Sequence, residues 1–209
     1  MTTSRIAELL AAYLEGTHAS DQMLGLIQLY LDLLLRWNVK LNLTAVRHPE
    51  EIVTRHFGES LFCARQLFPS RDSNSRLIDI GSGAGFPGLP LKLWVPSLEL
   101  TCIESNYRKA TFLKEVVRAL SLSSVSVRSE RAETISDEAD LVTFRAVENF
   151  ERVLPTSAKL VKRGGRIGML IGEAQVELAH SLLPELHWLD PAPIPSSRNR
   201  VVLIGEKHG

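Results

Sequence analysis

The sequence predicts an α/β fold: a mostly parallel sheet covered by helices, with a helical region in front of it. Short apolar runs alternate with stretches of helical spacing from about residue 77 onward, which is the pattern of βαβ units. The first 70 residues instead read as helical, and a polar, turn-rich connector (PSRDSNS) begins at Pro69. We therefore expect a helical cap at residues 1–69 and an α/β domain at residues 70–209.

Two helices are predicted in the cap. Apolar residues recur every three or four positions between Met23 and Leu35, which predicts an amphipathic helix. A loop around residues 38–47 follows. Pro49 suits the first turn of the next helix, which we expect to continue to about Leu67.

Six strands and two helices are predicted in the α/β domain. The apolar runs that indicate strands lie at residues 77–80, 98–103, 125–127, 141–144, 166–171 and 201–204. Helical spacing covers residues 109–120 and 150–161. Residues 186–189 and 201–204, on either side of a proline-rich link, are candidates for an antiparallel hairpin at the sheet edge.

Composition narrows the class of protein. The chain has 209 residues, 44% of them hydrophobic, with 24 basic side chains, 24 acidic side chains and two cysteines. The apolar fraction excludes a disordered chain, and no apolar stretch approaches the ~20 residues of a membrane span. Two cysteines cannot cross-link a chain of this length, so we expect a cytoplasmic protein with no membrane partner. The net charge of zero disfavours non-specific binding of nucleic acid through overall positive charge but allows a local basic patch.

A glycine-rich loop is the strongest local signal. Segment 77–88 reads LIDIGSGAGFPG, so a buried strand ends in alternating glycines just before a helix. Such glycines let the backbone approach a ligand closely. Gly83, Gly85 and Gly88 satisfy the dinucleotide pattern G-x-G-x-x-G, but that register starts two residues late. Asp79, two residues before Gly81, instead gives the D-x-G-x-G-x-G pattern of S-adenosylmethionine methyltransferases, where Asp79 can hold the loop and face the amine end of the cofactor.

Further acidic positions support a nucleoside cofactor. Glu104, followed by Ser105 and Asn106, ends the second strand, where a carboxylate reaches ribose hydroxyls in dehydrogenases and methyltransferases alike. Ala132 and Glu133 follow the third strand, where an adenine ring would lie. The alternative reading is a structural glycine turn, with Glu104 solvated and Glu133 a charge at a helix start.

Several motifs together resemble one known family. They are Arg36-Trp-Asn38, Asn42-Leu-Thr44-Ala-Val, Arg55-His56-Phe-Gly-Glu59-Ser60, the glycine loop with its Gly-Phe-Pro-Gly, Phe144-Arg145-Ala146 and Ser197-Arg-Asn-Arg-Val-Val-Leu-Ile204. This combination resembles the bacterial 16S ribosomal RNA guanine-N7 methyltransferases, the glucose-inhibited division protein B family. The resemblance runs from about residue 20 to the end of the chain.

The resemblance implies a fold, a reaction and a partner. The fold is a Rossmann-like S-adenosylmethionine-dependent methyltransferase domain with a seven-stranded sheet and an N-terminal helical extension. The reaction transfers the methyl group of S-adenosyl-L-methionine to N7 of one guanine, and the partner is 16S ribosomal RNA or the small ribosomal subunit. We expect a monomer. The cofactor positions that match are Gly81, Phe86, Glu104, Ser105, Asn106, Ala132, Glu133 and Arg145.

This chemistry needs neither a general base nor a metal. Guanine N7 already carries a free lone pair, so catalysis is expected to come from alignment and electrostatics. Arg145 is the candidate catalytic residue because it ends the fourth strand, at the edge where parallel sheets bind ligands. It could bridge the cofactor and the O6 or phosphate of the target nucleotide. The alternative is a structural ion pair with Glu148 or Asp140.

Substrate contacts are predicted from the cap and the C-terminal segment. The candidates in the cap are Asn38, Asn42, Thr44, Arg55 and His56, and the candidate phosphate contacts are Lys162, Arg163, Arg166, Arg198 and Arg200. The competing readings are that the cap polar residues stabilise a loop, that His56 is a packed helical histidine, and that each basic residue is a solvated surface charge.

Three positions depart from the family pattern. Ile171 stands where relatives usually carry lysine, Phe144 replaces a small polar residue, and Glu59 replaces a common aspartate. These departures keep other hypotheses open. One is an S-adenosylmethionine enzyme for a small molecule or protein, with the cap as its lid. Another is a regulator that binds the cofactor without catalysis, and a nicotinamide enzyme is the last.

Overall fold

An eight-stranded sheet with helices on both faces lies at the centre of the molecule. The computed structural model describes residues 1–147 and 149–209. The strands are β1 (Arg76–Ile80), β2 (Glu99–Ile103), β3 (Val125–Arg128), β4 (Ala139–Arg145), β5 (Val161–Gly172), β6 (His187–Trp188), β7 (Ala192–Pro193) and β8 (Arg200–Glu206).

Eight α-helices accompany these strands in the described ranges. They are α1 (Thr3–Leu14), α2 (Asp21–Leu41), α3 (Pro49–Ile52), α4 (Glu59–Leu67), α5 (Gly88–Trp94), α6 (Tyr107–Ala119), α7 (Phe150–Lys159) and α8 (Val176–Leu182). A π-helical turn (Val53–Gly58) joins α3 to α4, and short 3₁₀ turns cover Ala132–Thr134 and Glu173–Gln175.

The sheet order creates a ligand crevice. The strands lie in the order β3-β2-β1-β4-β5-β8-β6, and β7 pairs separately with β8. The first five strands run parallel, whereas β8 is antiparallel to β5. The strand order reverses between β1 and β4, and doubly wound sheets bind ligands beyond the carboxyl ends of the strands at such a point. The predicted α/β fold is confirmed, with the seven-strand path extended by the two-residue β7.

Several predicted elements differ from those in the structure. The predicted loop at 38–47 begins late because α2 continues to Leu41. The predicted helix at 49–67 contains the π-helical turn. The predicted helix at 150–161 ends at Lys159, because Val161 already pairs with Ala139 in the sheet. The early start of β5 depends on an irregularity in its register that spans Gly164 and Gly165.

The cap helices pack onto one face of the sheet. One apolar cluster joins Tyr30 and Phe57 of the cap to Phe112 of α6, whereas a second cluster on the other face is built around Phe144 and Leu154. The first cluster therefore crosses the expected boundary, and the division into 1–69 and 70–209 stays a prediction. Across the described residues, no helix has both the length and the apolar character needed to span a membrane.

Candidate functional site: two neighbouring cavities

A cavity of about 680 Å³ lies beyond the carboxyl ends of β1, β2 and β4. Its volume is in the range of small-molecule and cofactor sites. It brings together most of the residues predicted to bind a cofactor, together with two polar residues of the cap. The predicted residues that line it are Gly81, Gly83, Phe86, Glu104, Ser105, Asn106, Ala132, Glu133, Arg145, Thr44 and His56.

The glycine loop divides its residues between the cavity and the core. Gly83 faces the cavity with a φ of +56°, a left-handed conformation that favours glycine. Gly85 does not line the cavity. A Cβ atom there would lie 2.6 Å from Leu89 Cδ1 and would also collide with the Tyr30 hydroxyl. Tyr30 donates a hydrogen bond to the carbonyl of Ala84. The absence of a side chain at Gly85 therefore lets the cap approach the loop.

Glu104 is fixed at the cavity wall by two backbone donors. Its Oε2 accepts a hydrogen bond from the Gly83 N–H at 2.9 Å, and its Oε1 accepts one from the Asn106 N–H at 2.7 Å. Asn106 in turn caps α6 by accepting hydrogen bonds from Arg108 and Lys109. Because a carboxylate can accept about four hydrogen bonds, Glu104 keeps acceptor capacity for the hydroxyls of a sugar.

Asp79 lies beneath the loop and does not line the cavity. It is fully buried, and its Oδ1 accepts a hydrogen bond from Thr143 Oγ1 at 2.8 Å. A Cβ atom on Gly88 would lie 2.8 Å from its Oδ2, so the carboxylate supports the start of α5 closely. Burial raises the pKa of Asp79 to about 6. The arrangement suits the role of holding the loop, whereas contact with a cofactor amine stays a prediction.

His56 and Thr44 form the cap side of the cavity. Thr44 Oγ1 lies 2.7 Å from His56 Nε2, and the imidazole packs on the Phe86 ring at a centroid distance of 5.0 Å. Burial lowers the pKa of His56 to about 3, with further lowering by the positive charge of Arg145 and Arg55. His56 is therefore neutral at physiological pH and offers a polar, uncharged surface.

Two neighbouring residues of the π-helical turn line different cavities. Arg55 and His56 both lie in Val53–Gly58, yet only His56 lines the cavity beside the glycine loop. A π-helical turn locally changes the helical phase and is frequent at functional sites. The turn packs against α1 through Gly58, where a Cβ atom would lie 2.6 Å from the Tyr13 ring.

Arg145 reaches the cavity from the end of β4 and is held by a buried carboxylate. Its Nη2 donates to Glu59 Oε2 at 2.9 Å, and only 11% of its side chain is exposed, against 1% for Glu59. The other oxygen of Glu59 accepts a hydrogen bond from Arg200 Nη2. Burial lowers the pKa of Arg145, and the charge of Glu59 opposes that shift, so the guanidinium stays protonated at physiological pH.

The alternative prediction, an ion pair between Arg145 and Asp140, was wrong. Asp140 begins β4 and pairs with Lys162 and the Arg76 N–H, whereas Arg145 ends the same strand. The two residues therefore lie at opposite ends of β4. Glu148, the other alternative partner, lies outside the described residues.

A second cavity of about 370 Å³ collects basic residues. Arg55, Arg198 and Arg200 line it together with Ser196, Ser197 and Asn199. We call it the basic cavity, and the first one the cofactor-side cavity. Arg200 donates to Glu59, so the two cavities share that carboxylate.

Other predicted substrate residues have structural roles. Asn38 is buried, and its side chain accepts from the Thr44 N–H and donates to the Thr44 carbonyl. The side chain of Asn42 accepts a hydrogen bond from Arg47. Neither asparagine lines a cavity, although Asn38 fixes the segment that carries Thr44. Lys162 and Arg166 lie away from both cavities, since Lys162 pairs with Asp140 and Arg166 binds the carbonyl of Leu67.

Sequence reasoning missed several lining residues and the role of Glu59. The additional positions include Lys109, Ala146, Val147, Asn149 and Arg152. Arg152 pairs with Glu133 at 2.8 Å, so that predicted residue is held by an ion pair. The available signal was position, because residues at the carboxyl end of β4 and the start of α7 face the crevice of such a sheet. Glu59 gave a weaker signal, as one member of the Arg-His-Phe-Gly-Glu-Ser motif.

The departures from the family pattern lie mostly in the core. Ile171 is buried in β5, and Phe144 is fully buried against Phe150. Neither residue lines either cavity. An apolar side chain at residue 171 therefore fits the packing of this sheet.

Comparison with solved structures shows the same fold at low sequence identity. A ribosomal protein L11 methylase from Lactobacillus delbrueckii subsp. bulgaricus superposes with a TM-score of 0.62 at 11% identity, over 74% of this chain and 79% of that one. A SAM-dependent methyltransferase from Aquifex aeolicus gives a TM-score of 0.61 at 12% identity, over 75% of this chain and 92% of that one.

Sequence relatives are much closer. A protein of Xylella fastidiosa (strain 9a5c) named Ribosomal RNA small subunit methyltransferase G is 41% identical over 182 residues, covering 86% of this chain and 81% of the relative. A protein of the same name from Chloroflexus aggregans is 35% identical over 202 residues, covering 90% of this chain and 84% of that one. Residues 23–183 match the family described as rRNA small subunit methyltransferase G. The chain belongs to that family.

Proposed function

We propose that this protein binds S-adenosyl-L-methionine in the cofactor-side cavity and methylates N7 of a guanine in 16S ribosomal RNA. The observation that carries the proposal is the meeting, in one cavity, of the glycine loop, the fixed carboxylate of Glu104 and the guanidinium of Arg145. Family membership supports the reaction class, because the relatives are named for methylation of small-subunit ribosomal RNA.

The residues that line the cofactor-side cavity fit S-adenosyl-L-methionine. Glu104 offers carboxylate oxygens for the ribose hydroxyls, and the backbone around Gly83 leaves room for close approach. Ala132 and Glu133 lie along the same cavity for the adenine ring. The bound cofactor would supply an electrophilic methyl group.

The cap side of the cavity fits a base that must not be protonated. Guanine N7 attacks through its own lone pair, so the site has to align the base and keep acids away from N7. His56 meets that requirement because its lowered pKa keeps it neutral. Phe86, stacked against Tyr30, adds an apolar wall. The protein's contribution is then alignment and desolvation.

Arg145 serves the substrate through its charge and its fixed direction. A guanidinium can donate to guanine O6 or to a phosphate, and Glu59 restrains Arg145 at the cavity wall. Donation to N7 itself would block the lone pair, so O6 or a phosphate is the proposed partner.

The basic cavity supplies the ribosomal RNA side of the site. Its arginines suit phosphate oxygens, and their local concentration reconciles RNA binding with a net charge of zero. We further propose that the protein acts as a monomer in the cytoplasm, on 16S ribosomal RNA or the small ribosomal subunit.

Methyl transfer can be tested directly. Small subunits and 16S RNA lacking the modification are incubated with the protein and S-adenosylmethionine labelled in the methyl group, and the labelled nucleotide is mapped. We expect label at N7 of a single guanine. Label absent from RNA, or present at another nitrogen, would contradict the proposal. Calorimetric titration with S-adenosylmethionine and with NADH completes the test, and preference for NADH would favour a nicotinamide enzyme instead.

A further inference from the structure

Glu59 occupies an unusual position between the two cavities. It begins α4 directly after the π-helical turn and is almost completely buried. Each of its carboxylate oxygens accepts one arginine: Oε2 from Arg145 of the cofactor-side cavity and Oε1 from Arg200 of the basic cavity. One side chain therefore fixes the direction of two cations that belong to different cavities.

The charges around Glu59 do not balance. One carboxylate faces both Arg145 and Arg200, whereas the nearby Arg55 has its own partner in Glu51. Each of these three arginines has one buried nitrogen without a hydrogen-bond acceptor among the described residues: Arg145 Nη1, Arg200 Nε and Arg55 Nε. Buried donors are normally paired, so the cluster has unused donor capacity for an anionic ligand such as an RNA phosphodiester.

The sharing also limits how independently the two arginines can move. If Arg200 turned toward a phosphate in the basic cavity, it would shift the carboxylate that it shares with Arg145. Hydrogen bonds to ionised groups in a buried setting are strong and directional, so such a shift would change the position of Arg145.

We propose that Glu59 is a positioning residue that aligns Arg145 for methyl transfer and links its alignment to RNA contact at Arg200. The proposal rests on the function proposed above, because it concerns the same site. It concerns turnover more than cofactor binding, since Glu59 does not line the cofactor-side cavity.

The test compares two substitutions of Glu59 in the full chain. Glu59→Gln keeps the shape and removes the charge, and Glu59→Asp keeps the charge on a shorter side chain. We measure kcat and KM with small subunits lacking the modification, and the dissociation constant of S-adenosylmethionine by calorimetry. For Glu59→Gln we expect kcat to fall about tenfold or more, with the cofactor dissociation constant changed less than about threefold. Glu59→Asp should recover most of the lost kcat.

A double substitution separates positioning from general damage to the fold. If Glu59 acts through Arg145, adding Glu59→Gln to Arg145→Ala should lower kcat no further. Asp140→Asn is the matched control, because it removes the carboxylate of an ion pair at the opposite end of the same strand. All variants are assayed below their own melting temperatures, so that each retains its fold.

Three outcomes would overturn the proposal: an unchanged kcat in Glu59→Gln, no recovery in Glu59→Asp, or full additivity of the two losses in the double variant. The proposed function fails in a different way, since the wild-type protein would then leave the RNA unmethylated. A wild type that methylates RNA beside an equally active Glu59→Gln therefore rejects only the role of Glu59.

Discussion

The two ends of strand β4 carry ion pairs of different character. At the carboxyl end, Arg145 donates to Glu59 in a buried network that also includes Arg200. At the amino end, Asp140 pairs with Lys162, whose side chain is half exposed. Solvent screens the second pair, and exposed pairs contribute little to stability. The buried network retains positive charge next to a cavity, which suits recognition of an anionic or electron-rich ligand. Position along one strand thus separates a solvent-screened pair from a buried pair beside a cavity.

Among the variants that compare the two ends of β4, removal of the Arg145 side chain should change kcat most. For Arg145→Ala we expect kcat to fall by about 100-fold, as for loss of one well-placed charge-stabilising donor. Methyl transfer to small subunits lacking the modification provides the measurement. An unchanged rate would remove Arg145 from the site and make the two ends of β4 equivalent.

The pH dependence of the free energy of unfolding should show how strongly His56, near Arg145 at the carboxyl end of β4, is desolvated. The folded-state pKa of His56 is about 3, well below its ordinary value of 6.5. The unfolded chain therefore takes up this proton first on acidification. His56 then contributes stability that is present above about pH 6.5 and is lost as pH falls toward 3, by up to about 1.4 kcal/mol per pH unit.

His56→Gln isolates that contribution. We expect the difference in free energy of unfolding between wild type and variant to shrink by about 1 kcal/mol or more from pH 7 to pH 5, measured by urea denaturation. Asp79 has a raised pKa of about 6 and the opposite sign, so its ionisation weakens the fold as pH rises between about 3.8 and 6. Because both proteins contain Asp79, its effect cancels in the difference. A difference independent of pH would show that His56 is solvated.

Arg198 allows a milder test of the basic cavity. It lines that cavity but is exposed, so Arg198→Ala should raise the KM for small subunits by about two- to fivefold with little change in kcat. The slope of log affinity against log salt concentration should also fall by about one. A loss of affinity that is the same at low and at high salt, or a loss confined to kcat, would place Arg198 outside RNA binding.

The smallest effect should come from the amino end of β4. Asp140→Asn is expected to cost about 1 kcal/mol or less of unfolding free energy and to leave kcat unchanged, as measured by urea denaturation and methyl transfer. A loss of turnover comparable with that of Arg145→Ala would show that the two ends of the strand do not differ in function.

Local patterns in the sequence predicted much of the fold and part of the site. Each predicted strand exists, because short apolar runs bounded by turn residues are typical of buried strands in one sheet. Gly81, Gly83 and Glu104 were expected in one cofactor site and do line one cavity, because each lies just after a strand end. The sequence did not show that Asn38 binds the backbone of Thr44 or that Asn42 accepts from Arg47, because a pattern of polar residues does not identify their partners; their role toward the substrate stays a prediction.

The sequence by itself determined six of the strands in their order, the glycine loop and the family resemblance, all of which depend on neighbouring residues or on motifs. Only the tertiary structure decided how Glu59 is used. It lies 86 residues from Arg145 and 141 from Arg200 along the chain, so no local spacing reveals their contact. The neutral state of His56 is also a tertiary property, because it follows from burial and from arginines contributed by separate elements.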